Sequence, residues 1–231
     1  MIARRCEREQ FRLRRALAQV RAKVQHNNLD VLAWAHGTDK ASWHHGYADI
    51  YQRHLAATRR RTQSVLEIGV GGESSFEGYE TSAGGQSLRM WADYFPHAQI
   101  VGIDLHPKSI AAPRIAFEQG DQADLRFLHR VVSEYGPFDL VIDDGSHIGR
   151  HIVASHSVLW DAVRSGGHYI IEDLSVSYDP AWEGGPPGTP GTGAALLKHL
   201  VDHTLERYRQ DFQPSIAAMH VYGDTAVLHK R

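Results

Sequence analysis

Two pairs of acids stand where short apolar runs give out: Asp143-Asp144 in FDLVIDDGSH and Glu172-Asp173 in GGHYIIEDL. Apolar runs that end abruptly in carboxylates read as buried strands whose carboxyl ends open toward a ligand. If the two runs are neighbours in one sheet, three or four carboxylates meet in one cleft. Such a group cannot stay charged and unpaired, so either the acids hold protons or a cation sits among them. Oxygen ligation suits a hard divalent ion, Mg2+ first, with Mn2+ or Ca2+ as alternatives. His147 follows Asp144 by three residues and sets an imidazole beside the cleft, where a general base is useful. Plainer roles are open to each group: Asp144 and Ser146 suit the cap of a helix starting near His147, and Glu172-Asp173 the cap of a short turn. His147 and His151 form H-x-x-x-H, but HIGRH lacks the glutamate of zinc peptidases and Cys6 is the only cysteine. Zinc is therefore set aside, and His151 is read as a packing or supporting residue.

A second group of residues points to a nucleoside. SVLEIGVGGES is a strand running into a Gly-rich turn, yet Gly69, Gly71 and Gly72 are followed by Ser74 where a dinucleotide fingerprint requires its third glycine. Glu67 adds a carboxylate where a pyrophosphate would sit, an arrangement that burial makes unfavourable. The acid instead suits a ligand with positive charge, and the glycines allow close backbone approach. S-adenosylmethionine, with its sulfonium and ammonium groups, has that character. Asp104, ending the run IVGID, is placed to accept from two ribose hydroxyls. Asp121, with Gln122 beside it, is placed to accept from an adenine amino group, unless it only caps the following helix.

The run LEIGVGG…AGGQSLRMWADYFPHAQIVGIDLH…GDQ…FDLVIDDGSH…GGHYIIEDL resembles the metal-dependent, S-adenosylmethionine-dependent sugar O-methyltransferases of the macrolide-antibiotic type, and the related mycobacterial enzymes that methylate mannose in polysaccharides. The resemblance implies that Asp144, Glu172 and Asp173 ligate the metal, that Asp143 faces the cofactor or supports the turn, and that His147 is the base that takes a proton from a sugar hydroxyl. HGTDKASWHHGYADIY resembles the family's segment that folds over the cofactor, so Thr38, Lys40 and Tyr47 join Glu67, Gly69, Gly71, Asp104, Asp121, Gln122 and Asp143 as cofactor-binding candidates, unless the segment is an ordinary helix cap with Trp43, Tyr47 and Tyr51 packed below it. The acceptor it implies is a small glycoside or an oligosaccharide, either an antibiotic deoxysugar or an oligomannoside precursor.

These residues need a scaffold that aligns strand ends. Runs at Ser64–Ile68, Gln99–Ile103, Arg114–Glu118, Phe138–Ile142 and His168–Ile171 alternate with helix-length segments, the signature of a parallel α/β sheet. IAAMHVYGDTAVLHK adds an antiparallel hairpin turning at Gly223-Asp224. The expected fold is the class I methyltransferase, a Rossmann-like and mostly parallel seven-stranded sheet with helices on both faces. Residues 36–231 form its domain, residues 1–35 a helical extension, and the Gly/Pro-rich stretch within 178–193 a mobile loop, either a lid or a plain flexible linker, before a helix near Ala194. Leu88, Met90, Trp91 and Phe95 read as core. Trp182, beside the loop, is a candidate for stacking on a sugar face.

From Glu7 to Gln25, Leu13, Leu17, Val20 and Val24 recur at helical spacing among arginines and predict an amphipathic helix docked on the main domain or a second subunit. A further helix is expected over Trp43–Thr58. With 231 residues, a net charge of −2 and one cysteine, the chain suits a single core without disulfides, a reducing cytoplasmic setting, no membrane partner and no general affinity for nucleic acid. A homo-oligomer, dimer or higher, is expected. Two rival readings are an RNA methyltransferase using the basic N-terminal helix, and a non-catalytic nucleotide-binding protein whose acids only cap helices.

Overall fold

In the computed structural model, residues 2–71, 84–205 and 215–231 are described. Gly72 and Ser74 of the glycine turn lie outside them. The chain divides into two compact units, Met1–Gln63 with Val70–Ile100 and Lys108–Ala116, and Ser64–Gly69 with Val101–Pro107 and Phe117–Arg231.

Seven strands, β1 (Ser64–Ile68), β2 (Gln99–Asp104), β3 (Ile115–Gln119), β4 (Phe138–Asp143), β5 (Val163–Ile171), β6 (Ile216–Val221) and β7 (Ala226–Lys230), form one sheet in the order β3-β2-β1-β4-β5-β7-β6. β1, β4 and β5 pair in parallel, while β7 runs antiparallel to both β5 and β6. This is the expected mixed sheet with a closing hairpin. The apolar runs place the strands because both faces of a central parallel strand are buried. β5 begins five residues before the apolar run His168–Ile171, since Val163 already pairs with Phe138 ahead of an irregular step. In the second unit, α5 (Leu125–Tyr135), α6 (Gly149–Ala162) and α7 (Gly193–Leu205) complete the structure, and Leu66, Val101, Leu128, Val141, Leu159 and Leu228 share its core.

The first unit is built from α1 (Ile2–Ala22), α2 (Leu29–His36), α3 (Tyr47–Leu55) and α4 (Gln86–Tyr94). Here the sequence reading needs correction. Leu13, Leu17, Val20 and Val24 do not dock on the domain; they are 54% to 74% exposed. The opposite stripe, Phe11, Arg15, Ala18 and Ala22, faces inward. Phe11 packs on Trp34 and Trp43 with ring centroids 5.6 and 4.9 Å away. Arg15 donates to the carbonyls of Ala35 and His36 at the end of α2. Those carbonyls lack helical partners, so an arginine satisfies them and turns inward while its sequence context reads as solvent-facing. α2 itself was not expected; Asn28 caps its start through Val31 N–H, and Gly37 ends it with φ 75°. The helix expected over Trp43–Thr58 shortens to α3, because Gly46 takes φ 70° and the preceding residues turn back onto Asp39 and Ala41. Leu88, Met90, Trp91 and Phe95 are fully buried as expected. Arg114, with φ 62°, delays β3 by one residue and donates to Phe95 and Ala98 carbonyls at the end of α4.

Candidate active site

Register assembles the site. Ile68 pairs with Asp143 and Asp143 with Ile171, so Gly69, Asp144 and Glu172 leave the sheet at one level. Asp144 N–H donates to Ile68 C=O at 3.0 Å, and Gly69 N–H to Ile103 C=O at 2.8 Å. Gly69 has φ 79°, and a Cβ there would run into the Asp144 carbonyl and lie 2.9 Å from Gly145 Cα. Glycine is thus required twice, for its backbone conformation and for the close approach of the acid turn. Gly71 shares the positive φ, 67°, but among the described residues a Cβ on it meets nothing within 4 Å.

Beyond β4, Asp144, His147 and Asp173 converge, each offering one ligand atom within 4.8 Å of the others. His147 Nε2 lies 3.3 Å from Asp173 Oδ2. Both residues are left-handed, φ 58° and 53°. Non-glycine residues held there store strain, which is concentrated at functional sites. Glu172 is buried, its N–H donating to Asp143 C=O at 3.0 Å, and its carboxylate is not part of that converging group. The cluster therefore joins two of the three acids expected at the metal with the expected base. Its two carboxylates supply the oxygen ligands that a hard divalent ion prefers.

The acid turn has a buttress that the sequence reading did not include. Asp224, in the β6–β7 turn, accepts from Leu174 N–H through its carbonyl and from Ser175 N–H through Oδ1, at 2.9 and 2.7 Å. Thr225 Oγ1 donates to Ile171 C=O. An aspartate after glycine signals only a turn in sequence; its service to a segment 49 residues earlier needs the fold.

Asp143 is 1% exposed and is directed into the protein. It accepts from Ser155 Oγ, Gln122 Nε2 and Tyr169 O–H. Burial raises its pKa, while the Ser155 and Gln122 hydrogen bonds and nearby His147 pull the other way. Of the two roles proposed for Asp143, the geometry favours support of the turn over cofactor contact. Gln122 acts with it: Nε2 holds Asp143 and Oε1 accepts from Ser146 N–H at 2.7 Å, so its amide is engaged within the protein. Ser146 Oγ contacts His151 Nδ1 at 2.8 Å and accepts from Ile148 N–H. His151 thus supports the turn, and α6 starts at Gly149 with no side-chain cap.

The remaining cofactor candidates are placed as follows. Glu67 is completely buried on β1. Asp104 ends β2, with Oδ1 accepting from His106 N–H. Asp121 is exposed, and its Oδ1 closes a turn onto Ala123 N–H; the cap of α5 is Asp124, not Asp121. Thr38, Lys40 and Tyr47 are buried in the first unit, where Tyr47 stacks on His45 at 4.9 Å. The glycine turn, the buried acid and a carboxylate at the end of β2 fit a cationic nucleoside of the S-adenosylmethionine type.

The Gly/Pro-rich segment contains no strand and follows two 3-10 turns, Leu174–Tyr178 and Pro180–Trp182. It is fastened rather than loose at several points: Gly185 N–H donates to Ser177 C=O, and Ala194 N–H to Ser177 Oγ.

Comparison with known proteins extends the reading. No protein-family model matches the chain. It is 40% identical over 214 residues to an 8-demethyl-8-(2-methoxy-alpha-L-rhamnosyl)-tetracenomycin-C 3'-O-methyltransferase of Streptomyces olivaceus, covering 88% of this chain and 54% of that one. It is 40% identical over 215 residues to the mycinamicin VI 2''-O-methyltransferase of Micromonospora griseorubida, covering 88% and 52%. The chain thus spans about half the length of the curated relatives it matches. The structure of MycE methyltransferase from the mycinamycin biosynthetic pathway, in complex with Mg, SAH and mycinamycin VI, superposes with a TM-score of 0.78 at 41% identity, over 88% of this chain and 54% of that one. An O-methyltransferase from Bacillus cereus in complex with SAH shares the fold at 13% identity, TM-score 0.51, over 96% and 100%. Among the described residues no helix is long and apolar enough to cross a membrane. The resemblance read from the strand-end motifs is borne out: over about half their length, the chain is a homologue of O-methyltransferases named for mycinamicin and for a rhamnosyl tetracenomycin-C, and it has the class I methyltransferase fold.

Proposed function

We propose that the protein transfers a methyl group from S-adenosylmethionine to a hydroxyl of a sugar, with a divalent ion, Mg2+ first, at the acid turn. The convergence of Asp144, His147 and Asp173 carries this reading. In the reaction the sugar oxygen forms a bond to the methyl carbon as the carbon–sulfur bond breaks, and the hydroxyl proton leaves to a base. A bound divalent ion would supply charge stabilisation for the oxygen. His147 is assigned the proton, on the ring nitrogen that faces away from Asp173, while Nε2, 3.3 Å from Asp173 Oδ2, holds the ring's orientation and lets the carboxylate stabilise the charged form. Asp144 and Asp173 are assigned to the ion, and buried Glu172 completes the set that the resemblance implies. Glu67, Gly69, Gly71, Asp104 and Asp121, with Thr38, Lys40 and Tyr47, are assigned to the cofactor; Gln122 and Asp143 hold the turn from behind.

The acceptor is a glycoside of the kind the relatives' names describe, a deoxysugar carried on an antibiotic aglycone, in preference to an oligomannoside. We place the reaction in the cytoplasm, in keeping with a composition of one cysteine. Self-association belongs to the same reading, with the outward stripe of α1 as its surface. The deciding experiment incubates the protein with labelled S-adenosylmethionine and Mg2+ against rhamnosyl and other deoxysugar glycosides and a set of oligomannosides. Label is expected in a deoxysugar; label only in oligomannosides would reverse the choice, and label in none would remove the activity.

A further inference from the structure

We infer that Trp182 is the platform on which the acceptor sugar lies, an inference that rests on the sugar-hydroxyl reading above. Trp182 ends the 3-10 turn Pro180–Trp182, on the surface beside the candidate base. Its ring centroid is 5.7 Å from that of His147, the two planes inclined at 63°. The side chain is 41% exposed. A large aromatic group left open to solvent usually only covers a neighbouring core, but Pro180, Ala181 and Glu183 are exposed as well.

The turn is nonetheless held from several directions. Asp179 Oδ1 accepts from Ala181 N–H at 2.9 Å, and its carbonyl accepts from Trp182 and Gly184 N–H at 3.0 and 2.9 Å. Glu183, in the left-handed region with φ 59°, pairs with Arg150 in the first turn of α6. An indole is thus fixed in place with little hydrophobic reward for the segment that carries it, and its fixed neighbour is the residue assigned the proton. The apolar C–H face of a pyranose matches an indole face, leaving the hydroxyls around the sugar's rim. A sugar held there presents those hydroxyls to His147 and to the acids behind it. The chemistry recognised is a pyranose with one face free of axial hydroxyls, and deoxysugars, with fewer hydroxyls, meet that condition well.

The test uses the glycoside that the wild-type protein methylates best in the panel above, at saturating S-adenosylmethionine and Mg2+, with W182A, W182F and W182L. W182A and W182L are expected to raise KM for the glycoside roughly 3- to 10-fold, W182F by less than about twofold, with kcat changed less than about twofold in all three. Cofactor affinity by calorimetry is expected to be unchanged. Equal KM in the wild type and W182L overturns the platform, as does a fall in kcat at constant KM, which would make the indole only a prop for His147. Should W182A fail to fold, the Phe and Leu variants, alike in size and differing in aromatic character, decide alone. A wild type that methylates no glycoside overturns the acceptor reading itself, a result separate from any effect at Trp182.

Discussion

His147 Nε2 stands 3.3 Å from Asp173 Oδ2, and the backbones of both residues are left-handed. The contact joins two segments that leave the sheet from adjacent strands, and its geometry depends on both turns being held in an uncommon conformation. H147A is expected to lower kcat by ~10²–10⁴ while cofactor affinity by calorimetry stays within about twofold. D173N keeps the side-chain shape and should lower kcat as well. A fully active H147A would end the assignment of the proton to this imidazole.

The acid cluster predicts dependence on a metal. Dialysis against EDTA is expected to abolish methyl transfer and Mg2+ to restore it. D144N should raise the Mg2+ concentration needed for half-maximal rate by more than ~10-fold. Full activity in EDTA would leave the carboxylates with only structural work.

The two glycines of the first turn should differ when substituted. G71A carries the left-handed penalty, about 1–2 kcal/mol, and a Cβ there meets nothing among the described residues. G69A adds overlap with the Asp144 backbone, for about 1–3 kcal/mol more. The expected order of melting temperature is wild type, G71A, G69A, and G69A should also lose metal-dependent activity because it displaces Asp144. Equal melting temperatures for the two variants would show that the turn yields easily.

Acid sensitivity has a specific source. His156 is buried, stacked on Trp160 at 5.6 Å, and its Nε2 has no hydrogen-bond partner among the described residues. Burial lowers its pKa from 6.5 to about 4. Between those values the unfolded chain binds a proton that the native protein refuses, so stability falls as pH drops through that window, by a total on the order of 3 kcal/mol. Asp143, whose pKa is raised by burial, titrates in the opposite sense. Comparison of wild type with H156F cancels that contribution. The loss of denaturant midpoint between pH 7 and pH 5 is expected to be smaller in H156F; an equal loss would place the sensitivity elsewhere.

The strands were legible because a parallel sheet buried on both faces writes itself as an uninterrupted apolar run: β1 lies at Ser64–Ile68, and the hairpin turns at Gly223-Asp224 as read. α1 was visible as a helix but its inner face was not. Two stripes of equal spacing compete there, and the one that docks does so through Phe11, Ala18 and an arginine bonded to carbonyls, features that apolar periodicity does not weigh. In the site, residue type and strand-end position picked out Asp144, His147 and Asp173. Glu172 and Asp143 are as prominent in sequence, but alternation along a strand and burial separate the acids of a pair, and these two are buried and outside the converging group. Ser155 and Asp224 are not legible in the sequence as support for the acid turn, since their hydrogen bonds join residues far apart in sequence that only tertiary structure brings together.

The bond from Asp224 to Ser175 N–H has a consequence for how the protein matures. Translation delivers the loop after β5 before the hairpin whose β7 both fills the core, through Ala226 and Leu228, and fastens that loop, so the interior and the acid turn are completed together. A lesion in that hairpin is therefore expected to slacken the acid turn without touching any side chain assigned to the ion or to the proton.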